Sequence, residues 1–221
     1  MPKVTSVEPQ KKSASRRTHR FNIYLDGIFA FGADEDLIVD HRLVAGKEIS
    51  PDDLEKLLQE AEVGKLMERM YRLFTIRQRS EKEVRDYLKN LSFKRKIKGE
   101  GEMSIFIVDA VVQLMKKKGM LDDKQFAIAW MESRLRKYGS RRIKQELLQK
   151  GINREIIAEV VSQQSSVNNQ ETAEKLLQKK IDRWKNLSPL ELKKKSYEYL
   201  LRRGFEYEVV KSVIENFFRK M

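Results

Sequence analysis

Apolar residues along most of this chain recur every three or four positions, the period of a helix that buries one face. Ile143, Leu147 and Leu148 form such a stripe, and Gly151 follows where the helix must end. Glycine enters the left-handed conformation without a Cβ penalty. With Gly151 at C′, Ile152 is C″ and Leu147 is C3, the two residues that touch in a Schellman ending. Ile156, Ile157, Val160 and Val161 then predict a second amphipathic helix. The block LLQKGINREIIAEVV at 147–161 returns 53 positions later as LLRRGFEYEVVKSVI, with Gly204, Phe205 and Leu200 in the same roles. A fainter copy lies upstream: Leu88 and Phe93 precede Leu147 and Ile152 by 59 residues, and Ile107, Val108, Val111 and Val112 precede their counterparts by 49. The first copy thus carries ten extra residues, and Ser92 stands where the others have Gly, so its helix stop is expected to be looser. A preceding helix, such as 124–138, completes each unit. Units of this kind stack on their neighbours, which predicts a mainly α chain of tandem three-helix repeats in an elongated array.

The N-terminal segment follows the period of a strand instead. In RFNIYLDGIFAFG, at 20–32, Phe21, Ile23 and Leu25 alternate with polar or amphipathic neighbours, and Asp26-Gly27 is a type I′ hairpin signal. Residues 3–7 are expected to add a third strand. So small a sheet leaves a face to cover, and it is expected to lean on a helix opening at Ser50-Pro51, with Ser50 as N-cap, Pro51 at N1 and Asp53 at N3. The expected organisation is a small β domain at 1–50, then repeats at 51–121, 122–168 and 169–221, the first with a basic insertion at about 94–104. That insertion holds Lys94, Arg95, Lys96 and Lys98 beside Gly99 and Gly101 and is expected to be a mobile loop. Residues 1–20, with Lys11, Lys12, Arg16, Arg17 and Arg20, are expected to be a solvated loop, and 162–170 a linker. Asp122 or Asp123 is expected to cap the helix that holds Phe126, Ala127, Trp130 and Met131. Trp130 and Trp184 fall in apolar stripes and are assigned to core packing rather than base stacking.

Charge turns this scaffold into a candidate binding protein. The net charge is +13 and the pI about 9.7, which favours a polyanionic partner. Arg134, Arg136, Lys137, Arg141, Arg142 and Lys144 surround the turn Tyr138-Gly139-Ser140. Arg134 and Lys137 lie three apart on one helix and Arg141 and Lys144 three apart on the next, so both pairs are expected on one exposed corner. The plainer alternative is a solvated face balanced by Glu132 and Glu146, but the local surplus favours binding. Arginine forks suit phosphates and carboxylates alike. The absence of cysteine removes disulfides, thiolate metal sites and a cysteine nucleophile. His19 and His41 lack neighbouring ligands, no phosphate-loop pattern occurs, and Asp122-Asp123 is better explained as a cap than as a metal site. No enzymatic activity, metal or cofactor is expected. With no membrane-length apolar run and no signal-peptide core, a cytoplasmic protein is expected.

The stretch GMLDDKQFAIAWMESRLRKYGSRRIKQELLQKGI at 119–152 resembles the central signature of the RecX regulators of bacterial recombination. The matching residues are Gly119, Leu121, Asp122, Asp123, Phe126, Ala127, Arg134, Gly139, Ile143, Glu146, Leu147, Lys150, Gly151 and Ile152. RSEKEVRDYL at 79–88 and YLLRRGFEYEVV at 199–210 resemble the family's first and third repeats, and the hairpin resembles the N-terminal extension of some members. Ser92 and the basic insertion depart from the pattern. The resemblance implies a non-enzymatic modulator, expected to be monomeric, that binds the RecA filament and single- and double-stranded DNA and restrains ATP turnover and strand exchange. Residues expected to meet nucleic acid or RecA are Arg134, Arg136, Lys137, Arg141, Arg142, Lys144, Lys150, Arg202 and Arg203. The alternative is a stand-alone helical nucleic-acid-binding protein, a transcription factor or an RNA-binding module. Against a transcription factor, no helix carries several base-reading Asn, Gln or Arg residues between capping signals.

Overall fold

Residues 1–10, 20–162, 166–184 and 186–219 are described by the structure, a computed structural model. Three antiparallel strands, β1 (Val4–Pro9), β2 (Arg20–Leu25) and β3 (Ile28–Asp34), form a sheet in chain order. Asp26 and Gly27 both take positive φ, 48° and 83°, as a type I′ turn requires. Thr5 locks the hairpin from the neighbouring strand: its Oγ1 accepts from the Gly27 N–H at 3.0 Å and donates to the Tyr24 carbonyl at 3.1 Å. Val4, Ile23, Leu25, Phe31 and Ala33 pack on Leu57 and Ala61 of α2 (Pro51–Ile76), so the sheet does lean on that helix. A short helix that the periodicity did not predict, α1 (Glu35–Asp40), adds Leu37 to this core. Ser50 caps α2 by accepting from the Asp53 N–H at 3.1 Å.

Arg20 is not part of a solvated loop. It begins β2 with its side chain buried, pairs with Glu68 of α2 at 2.9 Å, and donates to the Gly32 carbonyl at 2.8 Å. A Cβ on Gly32 would stand 3.4 Å from that guanidinium and 2.9 Å from the Gln10 amide, so a bare residue keeps the approach open. Lys11, Lys12, Arg16, Arg17 and His19 lie outside the described residues.

Ser92 does not end its helix. α3 (Glu81–Ile97) continues through it, because serine gives no advantage in the left-handed conformation that glycine takes. The buried Ser92 hydroxyl instead accepts from the Met103 N–H at 2.9 Å, pinning the chain as it returns. Phe93, expected to close onto Leu88, is 62% exposed. The first four residues of the expected mobile loop, 94–97, are therefore the last turn of α3, where Arg95 pairs with Glu62 of α2 and Lys96 with Glu102. The chain turns at Gly99 and Gly101, with φ 76° and 81°, before α4 (Ile105–Lys117) packs along α2.

The chain divides into two compact units, one comprising Met1–Gln78 and Tyr87–Leu121, the other Arg79–Asp86 and Asp122–Met221. The second contains α5 (Asp123–Leu135), α6 (Ser140–Gln149), α7 (Arg154–Ser162), α8 (Ser166–Ile181), α9 (Pro189–Arg202) and α10 (Tyr207–Arg219). Asp122 caps α5, its Oδ1 accepting from the N–H groups of Lys124 and Gln125 at 2.8 and 3.0 Å. Phe126, Ile143, Leu147, Ile152 and Val160 form one core; Leu177, Leu200, Phe205, Val210 and Ile214 form another, against which Trp184 packs. Gly151, at φ 80°, sends its N–H to the Leu148 carbonyl at 2.9 Å, and Ile152 sends its own to Leu147 at 3.1 Å. Gly204 at φ 83° repeats both bonds with Leu201 and Phe205 with Leu200, so two of the three expected Schellman endings form. The linker is shorter than expected, because α8 already begins at Ser166. Once anchored by Ala173 and Leu177, the helix extends backward through polar residues, each adding a backbone bond. Residues 163–165 lie outside the described set.

Candidate polyanion-binding corner

Two tight turns meet in the second unit. The turn between α5 and α6 contains Gly139, whose N–H donates to the Arg203 carbonyl at 3.0 Å, and the Arg141 N–H reaches the Gly204 carbonyl at 3.1 Å. A Cβ on Gly139 would lie 2.4 Å from the Gly204 oxygen and from the Phe205 nitrogen, so the two backbones touch only because residue 139 has no side chain. The Ser140 hydroxyl donates to Glu206 at 3.1 Å across the same junction. This interlock brings Arg202 and Arg203 beside the turn that carries Arg136 and Lys137 and beside Arg141 at the start of α6. Arg203 confirms the register by donating from Nη1 to the Lys137 carbonyl at 2.7 Å.

The nine cations expected at the site divide into two groups. Arg134 is not free on an exposed face: its Nε lies 3.2 Å from Glu146, and its guanidinium lies 4.5 Å from the Trp130 ring centroid. Arg142 pairs with the other Glu146 oxygen at 3.3 Å and lies 4.3 Å from the Tyr138 ring centroid. Lys150 pairs with Glu83 at 2.5 Å and lies 4.6 Å from Trp130, while Arg203 faces Tyr199 at 4.9 Å and Tyr138 at 5.7 Å. These four are held by carboxylates, carbonyls and aromatic faces. Arg136, Lys137, Arg141, Lys144 and Arg202 have no ion pair among the described residues; Lys144 is half-buried and the other four are exposed.

Glu146 is the hub of the inner group, since it also accepts from the Trp130 Nε1–H at 3.0 Å. Two arginines and an indole therefore share one carboxylate, whereas Glu132 makes no ion pair among the described residues. Sequence reasoning assigned Trp130 to the core. Its ring does stack on Phe126 at 5.8 Å, but the ring also carries two cations. Tyr138 was missed entirely as a functional residue. Helical spacing gave no signal for it, because Tyr138 stands in the turn between α5 and α6 while Arg134 and Arg142 lie on the two separate helices. Each cation–π contact adds roughly 0.5–2 kcal/mol depending on exposure, so these rings hold the arginine forks in place.

Among the described residues no three His, Cys, Asp or Glu side chains cluster as metal ligands. His41 has a carboxylate neighbour, Glu60, at 2.7 Å. Among the described residues no helix is long and apolar enough to cross a membrane.

Three family profiles match the chain: the regulatory protein RecX N-terminal domain over 2–50, the RecX second three-helix domain over 122–161, and the RecX third three-helix domain over 168–214. A regulatory protein RecX of Clostridium beijerinckii is 32% identical over 97% of this chain and 95% of its own length. One from Bacillus subtilis is 31% identical over 97% of this chain and 77% of its own length. Among solved structures, a regulatory protein RecX superposes with a TM-score of 0.76 at 24% identity, over 97% of this chain and all of the other. RecX from Lactobacillus salivarius gives 0.60 at 20% identity, over 70% of this chain and 95% of that one. Both structures share the fold.

Proposed function

Because this chain belongs to the RecX family of regulatory proteins, we propose that it regulates the RecA recombinase by binding the RecA nucleoprotein filament and its DNA, restraining ATP turnover and strand exchange. The observation that carries this reading is the outer group of the corner. Arg136 and Lys137 come from the turn between α5 and α6, Arg141 and Lys144 from α6, and Arg202 from α9, and all five are without an ion pair among the described residues. A lone helix with scattered charges pairs them along its own face. Here the interlocked turns gather cations that are far apart in sequence, while Glu146, Trp130 and Tyr138 hold the inner arginines behind them. A preorganised set of positive groups meets a row of phosphates with little side-chain ordering left to do.

The inner cations have a supporting role in this reading. Arg134, Arg142, Lys150 and Arg203 position the corner, and the outer five make the contact. A filament offers DNA phosphates and acidic protein side chains, and the corner suits both.

The test is RecA ATPase activity on single-stranded DNA, titrated with this protein at two salt concentrations. We expect the rate to fall with added protein, and to fall less at the higher salt. With the five outer cations changed to Ala, inhibition should be lost or require much more protein. A rate that does not change with added protein, or equal inhibition by parent and variant, would overturn the reading.

A further inference from the structure

The first unit holds a groove of about 1620 Å³, between α2, the hairpin end of β3 and the extended end of α3. Pockets for small molecules measure roughly 300–1,000 Å³, so its size suits a length of polymer. The groove owes one wall to the departure at Ser92: because α3 runs on, Phe93 and Lys94 line it together with Lys98 just beyond the helix.

Two features of its surface point to a ligand. Its lining holds seven Lys and Arg residues against three Glu. Arg20 is paired with Glu68 and Arg95 with Glu62, and Arg72 lies 4.0 Å from Glu68. Lys65, Arg69, Lys94 and Lys98 have no ion pair among the described residues, leaving only Glu100 to oppose them. Among these charges stand two aromatic rings that the described residues leave largely exposed. Phe29 is 54% exposed, braced edge-on by Tyr24 with ring centroids 5.9 Å apart, and Phe93 is 62% exposed. Aromatic side chains left open among unpaired cations are the parts from which single-strand binding grooves are built: cations follow the phosphates while rings take the faces of unpaired bases.

We propose that this groove binds a single-stranded nucleic acid, with Lys65, Arg69, Lys94 and Lys98 on phosphates and Phe29 and Phe93 stacking bases. A duplex keeps its base faces stacked on one another and has none to offer the two rings. An acidic peptide would use the cations but does not carry an aromatic base on each unit for the rings. The groove is built from residues of the first unit and the corner from residues of the second, and the groove's role does not depend on the corner's.

The experiment is fluorescence anisotropy of labelled oligodeoxythymidylate and oligouridylate of about 16 nucleotides, and of a duplex of matching length, with the full chain. Stacking of one base is worth about 1–3 kcal/mol, or roughly a 5- to 150-fold change in affinity. We expect the Phe29→Ala, Phe93→Ala double variant to lose at least that factor on single strands and to bind the duplex like the parent. The Phe29→Tyr, Phe93→Tyr variant should keep single-strand binding. Changing Lys65, Arg69, Lys94 and Lys98 to Ala should flatten the plot of log affinity against log salt by about 0.7 per lost contact. Which homopolymer the parent holds more tightly identifies the natural strand. Circular dichroism of the variants should match the parent, since both rings are exposed. If the Ala double variant binds single strands like the parent, loses duplex equally, or loses only an acidic peptide probe, the proposal fails. That outcome is separable from failure at the corner, because the variant lacking the five outer cations is assayed beside it on the same oligonucleotides and on RecA ATPase.

Discussion

Replacing Gly139 by serine sets two physical expectations against each other. Gly139 is the N-cap of α6, at φ −79° and ψ 166°, a conformation open to any residue. Capping alone therefore predicts that serine, a preferred N-cap, stabilises by a few tenths of a kcal/mol. The tertiary contact predicts the opposite. A Cβ would stand 2.4 Å from two backbone atoms of the neighbouring turn, where ordinary contact begins at 3.4 Å, so the turns must separate by about an ångström. Separation strains or breaks the bonds from Gly139 to Arg203 and from Arg141 to Gly204. Overpacking costs about 1–3 kcal/mol and each lost hydrogen bond about 0.5–1.5, which together outweigh the cap by about 2–5 kcal/mol. Both tryptophans, Trp130 and Trp184, lie in this unit, so urea unfolding followed by intrinsic fluorescence reports on it directly. With a slope of about 2 kcal/mol/M, the midpoint should fall by at least about 1 M. A midpoint equal to or above that of the parent would refute the interlock.

Four further outcomes follow from the same geometry. Gly151→Val should lower the same midpoint by more than the roughly 1–2 kcal/mol of left-handed strain, because its Cβ would also lie 2.6 Å from the Lys82 Cβ; equal midpoints would show that residue 151 is free of both constraints. Changing Arg136, Lys137, Arg141, Lys144 and Arg202 together to Ala should leave the unfolding free energy within about 0.5 kcal/mol of the parent while weakening polyanion binding, as read by titration at several salt concentrations; a large fall in stability would place them in the scaffold. Glu146→Gln should destabilise by about 1–3 kcal/mol, since Arg134, Arg142 and the Trp130 N–H all rest on that carboxylate; an unchanged unfolding curve would remove it as the hub. Glu191 has its pKa lowered by hydrogen bonds from the Ser188 hydroxyl and backbone N–H, so its capping contribution is present above the ordinary carboxylate value and is lost as pH falls through the lowered one. An NMR titration of Glu191 should show that lowered midpoint, and Ser188→Ala should raise it.

Several features were determined by local sequence. The Asp26-Gly27 hairpin, the Ser50 cap, the Asp122 cap and the two Schellman endings each depend on a few adjacent residues whose conformational preferences are nearly independent of context. Periodicity likewise marked the buried faces of α6, α7 and α10, because one side of a helix must find apolar neighbours wherever they come from. Tertiary structure decided the rest. Ser92 has no strong preference of its own, so α3 ran on to Ile97, just before the turns at Gly99 and Gly101, rather than stopping where the repeat pattern placed the end. Arg20 looked like one more charge in a basic tail, but burial beside Glu68 made it part of a strand. The list of cations around Tyr138 was legible, yet which were engaged was not: Arg134 and Arg142 are chemically like Arg136 and Arg141, and only the placement of Glu146 and the aromatic rings separates them. Arg202 and Arg203 joined the corner because Gly139 and Gly204, 65 residues apart, let two backbones touch. A side chain's preferences are local and can be read from the chain, but a charge's availability depends on which partner the fold brings within reach.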